Sequence, residues 1–130
     1  MYPSVYLASR FQARAEIADV AQVLRDRGII VTSRWLEEAD VNVLDNPDPV
    51  ACMAIAERDY EDIDRADVVV VFSPKSRHGT GSGGFHWEGG YAKGQGKPVI
   101  VCGERENVFH YSQYTVPDVQ ALINWLSIHG

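Results

Sequence analysis

A chain of 130 residues, 45% hydrophobic and 23% charged, has the size and make-up of one ordinary globular domain and is too short for two. Its net charge of −6, with basic residues scattered and acidic ones gathered between Glu57 and Asp67, excludes a surface that tracks a nucleic-acid polymer. A substrate related to nucleic acid would be a small nucleoside or nucleotide.

The first strand is expected over Ser4–Ala8 (SVYLA), a short apolar run after a proline. Ala13–Arg27 carries Ile17, Val20, Ala21, Val23 and Leu24 at helical spacing, and Gly28 supplies the stop. Ile29–Thr32 reads as a second strand. Trp35–Pro49 is polar and irregular, punctuated by NPDP. Pro49 fits the start of a helix reaching about Ala66, with Ala51, Ile55, Asp59, Ile63 and Ala66 on one stripe. Asp67 opens VVVVF, the uninterrupted apolar run of a central parallel strand. A glycine-rich loop (Gly79, Gly81, Gly83, Gly84) follows, then a helix from about Phe85 to Lys93. Pro98–Cys102 is the next strand, Val108 and Phe109 read as an edge strand, and Val116–Ile128 closes as a helix.

Strand–helix alternation of this kind predicts a small doubly wound α/β domain over residues 1–130. Its sheet is expected to be parallel and five-stranded, flavodoxin- or Rossmann-like, with helices on both faces. Ligands in such sheets bind beyond the carboxyl ends of the strands, where strand order reverses. That places a crevice between Ala8, Ser9 and Arg10 on one side and Ser73–Gly84 on the other.

Several residues at this crevice can carry chemistry. Glu88 is expected in the first turn of its helix, where the dipole favours an ionised carboxylate, although acidic residues are common in any first turn. The neighbouring glycines let a ligand approach the backbone. Asp59 lies four residues from Ile55 and from Ile63, on the apolar stripe, so it must be partnered or pushed toward protonation. Glu57, Glu61, Asp62 and Asp64 read instead as a solvated acidic face. One carboxylate held ionised and one held protonated is the division of labour of a double-displacement glycosidic cleavage. Tyr6, near the carboxyl end of the first strand, is the third candidate, though many strand tyrosines are simply core.

Ser82 with the amides of Gly81, Gly83 and Gly84 could form an anion nest. His86 and Glu88 in HWE make no usual metal set, so neither metal nor other cofactor is expected. Asn107, Phe109 and His110 reach a site or merely finish a strand. Cys52 and Cys102 sit in apolar contexts and read as small core residues in a reducing compartment. MYPSVYLASRF lacks the features of a signal peptide, and no segment approaches the roughly 20 apolar residues of a membrane helix. A cytoplasmic location without membrane contact is expected.

From VYLAS to ENVFH the chain resembles the nucleoside 2-deoxyribosyltransferase-like family, including phage-type members and nucleoside 5′-monophosphate N-glycosidases. The resemblance rests on VYLASRF, on DYEDIDRADVVVVF with its aspartate eight residues before the strand-opening aspartate, and on SGGFHWEGGYAKGQGKPVIV. It implies a covalent glycosyl–enzyme intermediate on Glu88, with Asp59 near base and sugar and Tyr6 beside the nucleophile; Asp67 then only opens its strand. It also implies a homo-oligomer whose neighbouring subunit completes each site, with ENVFH as the contributing segment. The chain departs from the pattern in two places. Ser82 stands where classical transferases carry an aspartate, as in the nucleotide-hydrolysing branch, where a serine faces the 5′-phosphate. Phe85 and His86 replace smaller residues, filling the phosphate site or, for His86, touching substrate. Transfer to a second base is the leading activity; hydrolysis of a nucleoside 5′-monophosphate is the alternative, and a non-catalytic nucleotide sensor is the alternative of another class. A receiver-like signalling domain fits poorly, because Ser9 and Arg10 stand where such domains gather acidic residues.

Overall fold

The computed structural model describes residues 2–37, 48–73 and 83–130. In chain order its elements are β1 (Val5–Ala8), α1 (Arg14–Asp26), α2 (Pro49–Arg65), β2 (Val68–Phe72), α3 (Gly84–Gly94), β3 (Val99–Cys102), β4 (Tyr114–Val116) and α4 (Val119–Ile128). Short 3-10 turns occupy Phe11–Ala13, Arg34–Glu37 and Val108–Ser112. Among the described residues the sheet has four strands, all parallel, in the order β1-β2-β3-β4.

The expected five strands are therefore corrected to four. Ile29–Thr32 does reach the outer edge of β1, but through one parallel bridge, Val5 to Val31. Beyond Thr32, side chains take over the pairing that a backbone strand would have made. Ser33 Oγ accepts from the Leu7 amide at 2.7 Å, and Trp35 Nε1 donates to the Leu7 carbonyl at 2.8 Å. The edge of β1 is thus satisfied without a second strand, as buried backbone groups require. Val108 and Phe109 belong to a 3-10 turn capped by Asn107, and the last strand is Tyr114–Val116.

Side chains alternate across the sheet, so Tyr6, Val69, Val71 and Val99 face α3 while Val5, Leu7 and Val70 face the opposite side. Val5, Leu7 and Val70 are as fully buried as Tyr6, which means that both faces are covered. Gly28, at φ +82°, ends α1 in the left-handed conformation that a glycine adopts without strain. Asp48 caps α2, accepting from the Val50 amide, and Lys97 Nζ donates to the Ile63 and Asp64 carbonyls at its other end. Asp67 ties the start of β2 to β1 by accepting from the Ser4 amide and hydroxyl, the structural part expected of it. Cys102 is buried and Cys52 half-buried, both free thiols. No helix among the described residues is long and apolar enough to cross a membrane.

Candidate active site

Ile29–Thr32 lies on one side of β1 and β2 on the other, so strand order reverses there, and α3 packs across the face that β1 and β2 share. Gly89 makes the close approach possible: a Cβ there would lie 3.1 Å from Val71 Cγ2 and 3.9 Å from Val99 Cγ1. With α3 seated this low, Glu88 meets the strand beneath it. Tyr6 Oη donates to Glu88 Oε2 at 2.5 Å, across 82 residues of chain. Asp59, half-buried on the inner face of α2, hydrogen-bonds the same glutamate. The three residues expected to act together are therefore neighbours in space.

Their electrostatics depart from expectation in one respect. The sequence places Glu88 under the helix dipole, held ionised. Burial instead pushes its carboxyl up to about 8 from an ordinary 4.5; the Tyr6 hydroxyl opposes that shift, while the charge and hydrogen bond of Asp59 and the charge of Asp62 add to it. The reason is register. The helix begins at Gly84, so Glu88 lies past the first turn, where the dipole's influence has faded, and desolvation decides. Tyr6 is raised well above the usual tyrosine range, by burial first and then by the Glu88 and Asp59 charges. Asp59 lies within hydrogen-bonding reach of Glu88, and its charge disfavours ionisation of the glutamate.

Asp62 corrects a second expectation. It is fully buried, where a solvated acidic face is expected from the sequence. Its Oδ1 accepts from Arg34 Nε at 2.8 Å and Arg65 at 2.6 Å, and its Oδ2 accepts from the Arg34 amide at 2.9 Å. Glu61, exposed, pairs with the same Arg34 at 3.1 Å. Asp64 binds outward, accepting from Tyr91 and Gln95, and those two bonds lower its carboxyl below the ordinary value. The signal available in the sequence was the spacing: Asp62 follows Asp59 by one turn and precedes Arg65 by three residues.

The remaining expected contacts lie around the helix terminus. Ser9 and Arg10 follow β1 directly and are partly exposed at its carboxyl end. Gly83, at φ +83°, is the N-cap of α3, and Gly84 is its first residue; Ser82 lies outside the described residues. His86 turns to the other side of α3, its ring 4.0 Å from that of Phe85 and 5.4 Å from that of His110. Phe85 itself points inward and is buried in the core, so it is not a side chain standing open in the crevice. Asn107 spends its side-chain oxygen capping its own turn, accepting from Phe109 and His110 amides. An open, mainly apolar groove of about 960 Å³ runs between α3 and this turn, and its lining includes Gly83, His86, Trp87, Asn107, Phe109 and His110. His110 is a further residue of this side: it is buried, its Nδ1 accepts from the Glu106 amide at 2.9 Å, and Glu106 in turn accepts from Ser73 Oγ. Burial and the neighbouring His86 hold the His110 imidazole below its ordinary value. Among the described residues no cluster of three His, Cys, Asp or Glu is placed to hold a metal.

The parallel α/β sheet brings a tyrosine and two carboxyl groups together where strand order reverses, the place at which such sheets bind small ligands. The sequence profile of the nucleoside 2-deoxyribosyltransferase family matches residues 5–126, and the chain belongs to that family. It is similar to a 2-deoxyribosyltransferase from the psychrotolerant bacterium Bacillus psychrosaccharolyticus, at 25% identity and a TM-score of 0.73 over 93% of this chain and 90% of that one. Its fold is also that of a CMP N-glycosidase from Clostridium botulinum (20% identity, TM-score 0.58, 96% and 98% covered). A conserved protein from Enterococcus faecalis V583 shares it too (16% identity, TM-score 0.72, all of both chains covered). No curated protein matches the sequence. Membership and these likenesses support an enzyme that acts on small nucleosides or nucleotides.

Proposed function

We propose that this protein cleaves the N-glycosidic bond of a 2-deoxynucleoside through a glycosyl–enzyme ester on Glu88 and transfers the deoxyribosyl group to a second base. The observation that carries the proposal is the Tyr6–Glu88–Asp59 constellation: a desolvated carboxyl held by a phenol and coupled to another carboxyl. At neutral pH burial favours the protonated Glu88 carboxyl. Passage of that proton to Asp59 leaves Glu88 the free carboxylate. A Glu88 oxygen then bonds to C1′ as the C1′–N bond breaks, and the Asp59 proton goes to the departing base nitrogen. A second base reverses the sequence: its nitrogen attacks C1′, its proton returns to Asp59, and Glu88 is released. Tyr6, donating to Oε2, fixes the orientation of the attacking carboxylate and stabilises it when it is expelled. No step calls for a metal or other cofactor. The protein would act in the cytoplasm.

Hydrolysis of a nucleoside 5′-monophosphate differs only in the acceptor, water in place of a base. It is favoured by one sequence feature, Ser82 in place of an aspartate. Gly83, Gly84, Ser9, Arg10 and His86 are proposed as substrate contacts in either case. A homo-oligomer is proposed as the working form, supported by Trp87, Val108 and Phe109, which are between 70% and 76% exposed beside the groove.

Incubation with each deoxynucleoside and each monophosphate, with and without a second free base, tests the reading by chromatography. A new nucleoside formed only with the second base is the expected result. Free base from a monophosphate alone gives the hydrolase reading. Tight binding with no product on long incubation would replace both with a sensor.

A further inference from the structure

We propose that Asp62, clamped by Arg34 and Arg65, is a positioning residue for the carboxyl pair, setting both the place of Asp59 and the charge felt by Glu88. The inference rests on the proposed role of that pair. Asp62 is one helical turn from Asp59 on the same side of α2, and it is fully buried with three donors on its two oxygens. One of those donors is the Arg34 amide, at the head of the Arg34–Glu37 turn. The next residue, Trp35, is buried and donates to the Leu7 carbonyl in β1, immediately after Tyr6. A second link runs beside it, from Thr32 Oγ1 to the Asp62 carbonyl at 2.8 Å. Asp62 therefore braces the helix that carries Asp59 against the strand that carries Tyr6.

Removing one member of a buried ion cluster leaves the other charges uncompensated, so the cluster holds its geometry firmly whatever its net contribution to stability. Its charge reaches the site as well: both Tyr6 and Glu88 are pushed upward in part by Asp62. The titratable groups that act on Glu88 are Tyr6 from β1, and Asp59 and, most weakly, Asp62 from α2. Arg58 lies 3.7 Å from Asp59, Arg34 and Arg65 cover Asp62, and Glu61 covers Arg34. β2 and β3 present valines to α3, and His86, on α3 itself, faces His110 on the far side. Arg34 and Arg65 are thus the cations that moderate the Asp62 charge.

The two halves of the cluster should act in opposite directions. Asp62→Asn removes a negative charge and should move the titration of Glu88 down by about half a pH unit or more. Arg65→Gln leaves Asp62 less compensated and should move it up by a smaller amount, because the Arg65 side chain is 58% exposed and screened. Two readouts are needed: the low-pH limb of log kcat/KM, and the carboxyl 13C shift of Glu88 in glutamate-labelled protein, assigned by its loss in Glu88→Gln. Opposite shifts in the two variants are expected. No shift in either, or shifts in the same direction, would overturn the proposal, since a purely structural brace lowers activity without moving the limb in opposite senses. Should Asp62→Asn fail to fold, Arg65→Gln alone decides by the presence or absence of its upward shift. The carboxyl titration does not depend on turnover, so an inactive but titrating protein would sink the proposed reaction and leave the Asp62 inference to be judged separately.

Discussion

The two sides of helix α3 are built from the same eleven residues and do opposite things. The inner side buries Phe85, Gly89 and Ala92 and brings Glu88 to the Tyr6 hydroxyl. The outer side opens onto a groove with Trp87 70% exposed and His86 ring-to-ring with His110. Trp87 has one firm partner there, donating to the Tyr60 hydroxyl at 2.7 Å. Desolvation explains the contrast. Where water is excluded, a carboxyl shifts its protonation and couples to its neighbours; where water remains, exposed side chains contribute contacts instead. The proposed chemistry therefore lies on the inner side and the proposed recognition on the outer.

The strongest test of that division is at the proposed nucleophile. Glu88→Ala should lower kcat/KM by roughly 10⁴-fold, the order expected when a covalent catalytic group is lost, while circular dichroism shows the fold retained. Activity close to that of the unmodified protein would remove the inner side from catalysis. A second consequence is thermodynamic. Because the folded carboxyl sits at about 8 and its ordinary value is 4.5, the folded chain binds the proton more tightly than the unfolded one between those two values. Stability is then greatest below the ordinary value, falls as pH rises through the window, and levels off above the folded value. The slope within that window is at most about 1.4 kcal/mol per pH unit, reduced by whatever solvent reaches the site. Glu88→Gln should flatten this slope in thermal melts recorded across the window and on either side of it; an unchanged slope would mean that Glu88 is not the desolvated group.

Smaller effects sharpen the same contrast. Tyr6→Phe removes a hydrogen bond to a charged group, about 1.5–3 kcal/mol, so kcat should fall by one to two orders of magnitude. The low-pH limb should move upward, because the Tyr6 hydroxyl is what holds the Glu88 carboxyl down. Gly89→Val should lift α3 from Val71, with a loss of about 1–3 kcal/mol in denaturant unfolding and a fall in activity larger than that loss of folded protein accounts for. The smallest change is expected on the outer side. His86→Ala should raise KM about fivefold, corresponding to about 1 kcal/mol of lost contact, with kcat little altered; a large kcat effect there would merge the two sides into one site.

Much of this architecture is legible in the sequence. The run VVVVF has the pattern of a strand buried on both faces, and the stripe Ile55–Asp59–Ile63 puts a carboxylate where none belongs without a partner. Tyr6, Asp59 and Glu88 follow from such local rules. The second strand does not, because Ile29–Thr32 has the right local pattern while its length depends on what else can satisfy the edge of β1. Ser33 and Trp35 do so from outside the run. Asp62 escapes the local rules for a related reason: Glu61 and Asp64 near it are acidic and exposed, but its partners, Arg34 across the fold and Arg65 one turn on, are met where it is buried.

Sequence alone thus determined the elements with strong periodicity, the family resemblance and the three residues at the carboxyl site. Periodicity and residue chemistry are local, and they persist however the chain is folded. The protonation of Glu88 and the burial of Asp62 were decided only by tertiary structure. Each depends on the distance between residues far apart in the chain and on where water is excluded, and neither quantity exists until the helices are seated on the sheet.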